Sequence, residues 1–191
     1  MQLTLSENKI KANATKYFST AEKYDFMTPE LINFLGIDIV KAPATTKLDS
    51  YNAYEGGLIA HLLNVTRYAL KLNEIVPEHL QVEKASLLKV TLLHQIGKVR
   101  MFTPNESDWH REHQGKMYEF TDDLVAMSVG ERSVKYAMDN GIKLTDDEYQ
   151  AIINYDKDDT DKQAKWHSEP LAIILKQAHE LAIMDSKHPN T

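Results

Sequence analysis

Val82-Glu83-Lys84-Ala85-Ser86-Leu87-Leu88-Lys89-Val90-Thr91-Leu92-Leu93-His94-Gln95-Ile96-Gly97 is the stretch on which the fold turns. Its apolar residues, Ala85, Leu87, Leu88, Val90, Leu92 and Leu93, fall around most of a helical circumference instead of along one stripe. A helix apolar on nearly every side belongs in the middle of a bundle. His94 and Gln95 then sit near the C-terminal end of a buried helix, and Gly97 ends it.

Working outward, Gly57 to Leu72 places Leu58, His61, Leu62, Val65, Ala69 and Leu72 on one helical stripe, so His61 faces inward. Ser168-Glu169-Pro170 opens a last helix whose stripe is Leu171, Ile174, Leu175, Ala178, Leu181, Ala182 and Asp185, with His179 on or beside it. Ser128 and Glu131, then Thr145 and Glu148, have capping-box spacing and start two further helices, the first running from Val129 to Asp139. A first helix is predicted over Glu7 to Thr20. A short one starts at Thr28-Pro29-Glu30 and stops at Gly36. Residues 41–55 read as an ordered loop and 156–166 as a charged loop. Residues 99–127 break the helical period and suggest a β-hairpin or long excursion. The expected fold is an all-α helical bundle with that one excursion, forming a single domain over 1–191.

Composition sets the chemical menu. The 191 residues include no cysteine, so thiolate metal sites, disulfides and cysteine nucleophiles are excluded. Any metal must be held by His or oxygen ligands. No apolar run is long enough for a membrane span, and Met1 to Lys11 lacks the apolar core of a signal peptide, so the expected location is cytoplasmic. The net charge of −6 argues against a general nucleic-acid binder. That charge is uneven: residues 41–100 carry 8 basic and 5 acidic side chains, residues 101–191 carry 10 and 18.

A lone inward histidine is ordinarily a hydrogen-bonded core residue. Three of them, His61, His94 and His179, on separate helices are also how a bundle builds a metal centre in its core. Lys98 and Arg100 follow the buried helix and project near the mouth of any such site, where cations meet a phosphate. They equally suit a helix C-terminus as charges offsetting the macrodipole. His110 and His113 belong to the polar excursion, and His79, His167 and His188 to the surface. Glu131 is accounted for by its cap.

These residues carry a resemblance. Tyr54-Glu55-Gly56-Gly57-Leu58-Ile59-Ala60-His61 resembles the first metal-ligand motif of the HD-domain superfamily of metal-dependent phosphohydrolases. Leu92-Leu93-His94-Gln95-Ile96-Gly97-Lys98 resembles the motif that names it, with Gln95 where the family has Asp. Ala42-Pro43-Ala44-Thr45-Thr46, Ser128-Val129-Gly130-Glu131-Arg132-Ser133 and Ala151-Ile152-Ile153-Asn154-Tyr155 resemble segments of a branch of small HD proteins common in phages and bacteria. The resemblance covers roughly 30–187. Val129 and Tyr155 stand where that branch has His, and His179 aligns best with its late Asp.

The resemblance implies an HD-type bundle with a thinned ligand set. His61, His94 and His179 would hold one divalent transition metal, with Gln95 or water completing the shell; a site holding none is the other expectation. Lys98, Arg100, Arg132 and Tyr155 would bind a nucleotide or other phosphate. Lys98 on the phosphate, with Asp185 or Glu55 as base, would carry any hydrolysis. A neutral amide in place of a carboxylate weakens a divalent site. Two functions follow: a nucleotide- or phosphate-binding or regulatory protein with a degraded site, and a one-metal phosphohydrolase acting on nucleotides or short oligonucleotides. The expected partner is a small anionic ligand, with no long nucleic acid and no membrane.

Overall fold

The first two helices start where the sequence supplies caps. In the computed structural model, which describes residues 4–157 and 169–188, α1 (Glu7–Lys23) begins after Ser6 and α2 (Pro29–Lys41) after Thr28. Both hydroxyls accept the N–H three residues on, and Pro29 fills the first turn, where no donor is needed. α2 does not stop at Gly36 as expected. Gly36 breaks it at φ 50°, and Ile37 to Lys41 resume the helix, because Ile39 still has a core position to fill.

Three elements make the centre of the bundle. α3 (Gly57–Ile75) packs along α8 (Pro170–Lys187) and α4 (Lys84–Leu93). Leu87, Val90, Leu92 and Leu93 of α4 are all fully buried, as its all-round apolarity predicts. Each such side chain contributes about 1.5–3 kcal/mol on leaving water. The helix ends sooner than expected, at Leu93, and a short 3₁₀ turn over Ile96–Lys98 continues the chain. α1 lies against α3 and α4 with Tyr17 fully buried. The Tyr17 hydroxyl donates to the Leu92 carbonyl at 3.0 Å.

α6 (Val129–Asp139) and α7 (Asp146–Asn154) each carry the full reciprocal capping box that their spacing predicts. α6 packs on the Ile96–Lys98 turn and on α7, and α7 packs on α8. The contacts are close enough to need glycine. A Cβ at Gly97 would lie 2.5 Å from the Val129 carbonyl oxygen, and one at Gly130 2.5 Å from that of Ile152.

The excursion is a small antiparallel pair, β1 (Phe102–Pro104) with β2 (Tyr118–Phe120), Phe102 opposite Phe120. Between them stands α5 (Asp108–Gln114), which the sequence reading missed; its cap is Ser107. A bridge from Lys47 to Lys116 ties the 41–55 loop to this excursion. The architecture is all-α apart from this pair. No helix among the described residues is long and apolar enough to cross a membrane. His167, Ser168 and most of the expected charged loop lie outside the described residues.

Candidate functional site

His61 comes from the inner stripe of α3, His179 from α8, and His94 closes α4. One nitrogen from each ring lies within 4.8 Å of the others, and all three residues are buried. His61 Nε2 and His179 Nδ1 are 3.0 Å apart. That is about the spacing of neighbouring nitrogen ligands on one transition metal with bonds of about 2.0–2.1 Å. His94 Nδ1 lies 2.8 Å from the Thr91 carbonyl. A carbonyl only accepts, so this nitrogen carries the proton and Nε2 keeps a free lone pair.

His94 Nε2 and His61 Nδ1 are buried with no hydrogen-bond partner. Buried polar atoms seldom go unpaired. Three close imidazoles, two of them with an unpartnered nitrogen, fit a transition metal, for which His61, His94 and His179 would be the holders.

The electrostatics keep those lone pairs available. Burial drives the His61 pKa well below the ordinary histidine value, and His179, Lys98 and His94 push it further. His94 is lowered well below it by burial and then by His179 and Lys98, against the Thr91 carbonyl, which raises it. His179 falls to about 3, from burial first and Lys98 second. All three are neutral near pH 7.

Beside the imidazoles is a polar knot of neutral groups around one cation. Gln95 Nε2 donates to the hydroxyls of Tyr51 at 3.3 Å and Tyr155 at 3.2 Å. Gln95 Oε1 accepts from Lys98 Nζ at 3.1 Å. Lys98, 6% exposed, also donates to the Ala44 carbonyl at 2.6 Å and the Tyr51 hydroxyl at 2.9 Å. The Tyr51 ring lies 4.5 Å from that of His61, and the Tyr155 ring 4.7 Å from His94 and 4.9 Å from His179. Burial holds the Tyr155 phenol well above its usual pKa, reinforced by Asp156 and Tyr51.

The remaining candidates are spread out. Asp185 accepts from Asn64 and pairs with Arg67, both at 3.0 Å, and is absent from the imidazole cluster. Arg100, at φ 60°, turns to Asp38 and the Phe34 carbonyl. With Lys98 and Glu55 it lines a cavity of about 420 Å³. Arg132 is buried and donates to the Val125 carbonyl, and its Nε has no partner. Val129 offers its carbonyl, not its side chain, to this region by accepting from Ser133.

Three contributors went unread in the sequence. Tyr51 sits in a stretch recognisable only as a loop. Ser133 Oγ accepts from the Gly97 N–H at 2.9 Å and shares its proton between the His94 and Val129 carbonyls, fixing the turn after His94. Asp156, next to Tyr155 and within electrostatic reach of Lys98, has its pKa raised by burial, against Lys98 and Lys157. Only the Gly-Glu-Arg-Ser run pointed towards Ser133.

No family model matches the chain. No solved structure matches it either. Among curated proteins it is similar to the dihydroneopterin 2',3'-cyclic phosphate phosphodiesterase of Methanocaldococcus jannaschii, 37% identical over 65 residues. The match covers 33% of this chain and spans 25% of the relative's length. With the imidazole cluster, this partial similarity supports a relation to HD-type phosphohydrolases, the relation that the two histidine motifs imply.

Proposed function

We propose that this chain is a phosphate-ester-binding protein of the HD type, with a nucleotide-class ligand and a centre too poor in charge for efficient hydrolysis. One observation carries the reading: Lys98 is a buried cation whose three N–H groups meet only neutral acceptors. Among the described residues no carboxylate pairs with it. A buried charge is strongly disfavoured without a counter-charge, so an anion completes this site. The neutral Gln95, where the resemblance expects Asp, removes the negative charge that would otherwise supply it.

A transition metal on the three imidazoles would add Lewis acidity towards a phosphoryl oxygen. The chain's own residues orient the anion. Lys98 meets its charge, Tyr51 and Tyr155 border it, and Gln95 holds all three in register. Asp185, engaged by Arg67 and Asn64, has no part in this reading.

The test joins binding to turnover. Purified protein should bind a nucleoside monophosphate, weaken about tenfold or more on Lys98→Met, and show no hydrolysis that depends on His94. Turnover by the wild type that disappears in His94→Ala would replace this reading with the one-metal phosphohydrolase. The metal itself is tested by Gln95→Asp, which should raise transition-metal affinity about tenfold; unchanged affinity would sink the alignment of Gln95 with the family's Asp.

A further inference from the structure

The cavity of about 420 Å³ beside Lys98 offers more than a place for an anion. It has the size of a small-molecule pocket, for which about 300–1,000 Å³ is usual. One wall is a face of the β-pair. Phe102 and Pro104 stand two apart on β1, and Tyr118 stands opposite Pro104 on β2. Side chains at such positions share one face of an antiparallel pair, and all three residues line the cavity. They make a flat, largely apolar platform.

The charged groups around that platform sort into paired and unpaired. Asp38 and Arg100 neutralise each other. Lys98 is the buried cation met only by neutral acceptors. Among the described residues no carboxylate pairs with Lys41, and Glu55 makes no hydrogen bond or ion pair. The Tyr118 phenol has its pKa raised by burial first and by Glu55 second, so the Glu55 carboxylate lies within electrostatic reach of the platform. Lys98 and Lys41 suit a phosphate monoester, whose charge is about −1.5 to −2 at pH 7. Glu55 is left for a different part of the ligand. A carboxylate accepts and never donates, and its two oxygens can take two parallel N–H groups at once. Among the nucleobases guanine alone presents two adjacent donors, N1–H and the 2-amino group. Adenine and cytosine set their amino group beside a ring nitrogen that accepts, and uracil and thymine flank one N–H with carbonyls.

We propose that this cavity is the base pocket of the ligand and selects guanine, with Glu55 accepting from N1–H and the 2-amino group, the ring lying on Phe102, Pro104 and Tyr118, and the phosphate at Lys98. The inference rests on the phosphate-ester reading of Lys98 and names the base, and Glu55 as the residue that sets it.

Isothermal titration calorimetry with the 5'-monophosphates of guanosine, inosine and adenosine, and with ribose 5-phosphate, tests it. The guanosine ester should bind at least about tenfold more tightly than the adenosine ester, the step expected for hydrogen bonds to a charged group. The inosine ester, which lacks only the 2-amino group, should fall between them. Glu55→Gln should cut the guanosine-to-adenosine affinity ratio about tenfold, since the amide turns one acceptor into a donor. Glu55 is exposed, so circular dichroism should show an unchanged fold. A wild-type ratio near one overturns the base pocket and leaves the phosphate reading of Lys98 standing. So does a ratio that Glu55→Gln leaves as it was, or ribose 5-phosphate binding as tightly as the guanosine ester. Failure of the wild type to bind any of the four overturns both readings.

Discussion

Gly97 is a position where one methyl group decides geometry. An added Cβ would lie 2.5 Å from the Val129 carbonyl oxygen and 2.9 Å from the Ser133 nitrogen. Both are backbone atoms of α6, so the neighbour cannot turn aside as a flexible side chain would. Gly97→Ala should therefore cost about 1–3 kcal/mol by overpacking. It should also disturb the Ser133 clamp on His94. Urea denaturation measures the first effect, and metal affinity relative to wild type measures the second. Wild-type values for both would show that α6 gives way easily. The motif resemblance already draws attention to this glycine, between His94 and Lys98. The reason for it, a helix backbone pressed against the turn, was invisible without the partner element. The same holds for Tyr51 and Asp156: nothing in their local sequence says that they reach Lys98.

The helices were legible wherever their ends carry chemistry. Ser128 with Glu131 and Thr145 with Glu148 announce α6 and α7, and both boxes form as expected. Their environments separate them. Glu131 is exposed, and its pKa is lowered by its bonds to Ser128. Glu148 is 1% exposed and also meets Lys89 at 2.9 Å. Ser128→Ala should cost about 1 kcal/mol, the usual value of a lost cap. Glu148→Ala should cost more, about 3–5 kcal/mol, because it strips both the cap and the partner of a largely buried Lys89. Thermal unfolding of the two variants ranks them, and equal shifts would show that the Lys89 pair contributes nothing. α5 escaped the reading because its seven residues are nearly all polar and show no apolar period. Gly36 misled for the opposite reason: a glycine usually ends a helix, but the chain after it resumes the helix and buries Ile39.

For the whole molecule, the three depressed imidazoles tie stability to pH. An unfolded histidine takes up its proton near pH 6.5, whereas these three stay neutral well below that in the folded state, His179 down to about 3. Above pH 6.5 both states are neutral and stability is at its full value. Below it the unfolded chain binds more protons than the native one, so stability falls with pH. The slope approaches about 1.4 kcal/mol per pH unit for each histidine. Urea titrations at pH 8, 6 and 5, with a chelator present, should show this loss. A flat unfolding free energy across that range would mean that the cluster opens to solvent and titrates normally. At this scale the all-α architecture was readable from α4 alone, since a helix apolar all round requires others to surround it. The neutral, cation-centred character of the site was half readable. Gln95 announced a neutral amide beside His94, but only packing places Lys98 among neutral acceptors.

Tyr17 gives the first helix an unexpected standing. The resemblance to HD proteins starts near residue 30, so α1 looks like an appendage to a self-sufficient bundle. Yet the Tyr17 hydroxyl is the partner of the Leu92 carbonyl, two residues before His94, in a part of the core that water does not reach. A shortened chain lacking α1 would take from that carbonyl its phenol partner and uncover the α4 face on which Tyr17 packs. The helix is better regarded as a keystone, inserted against the last turn before the imidazoles, than as a leader to the bundle it precedes.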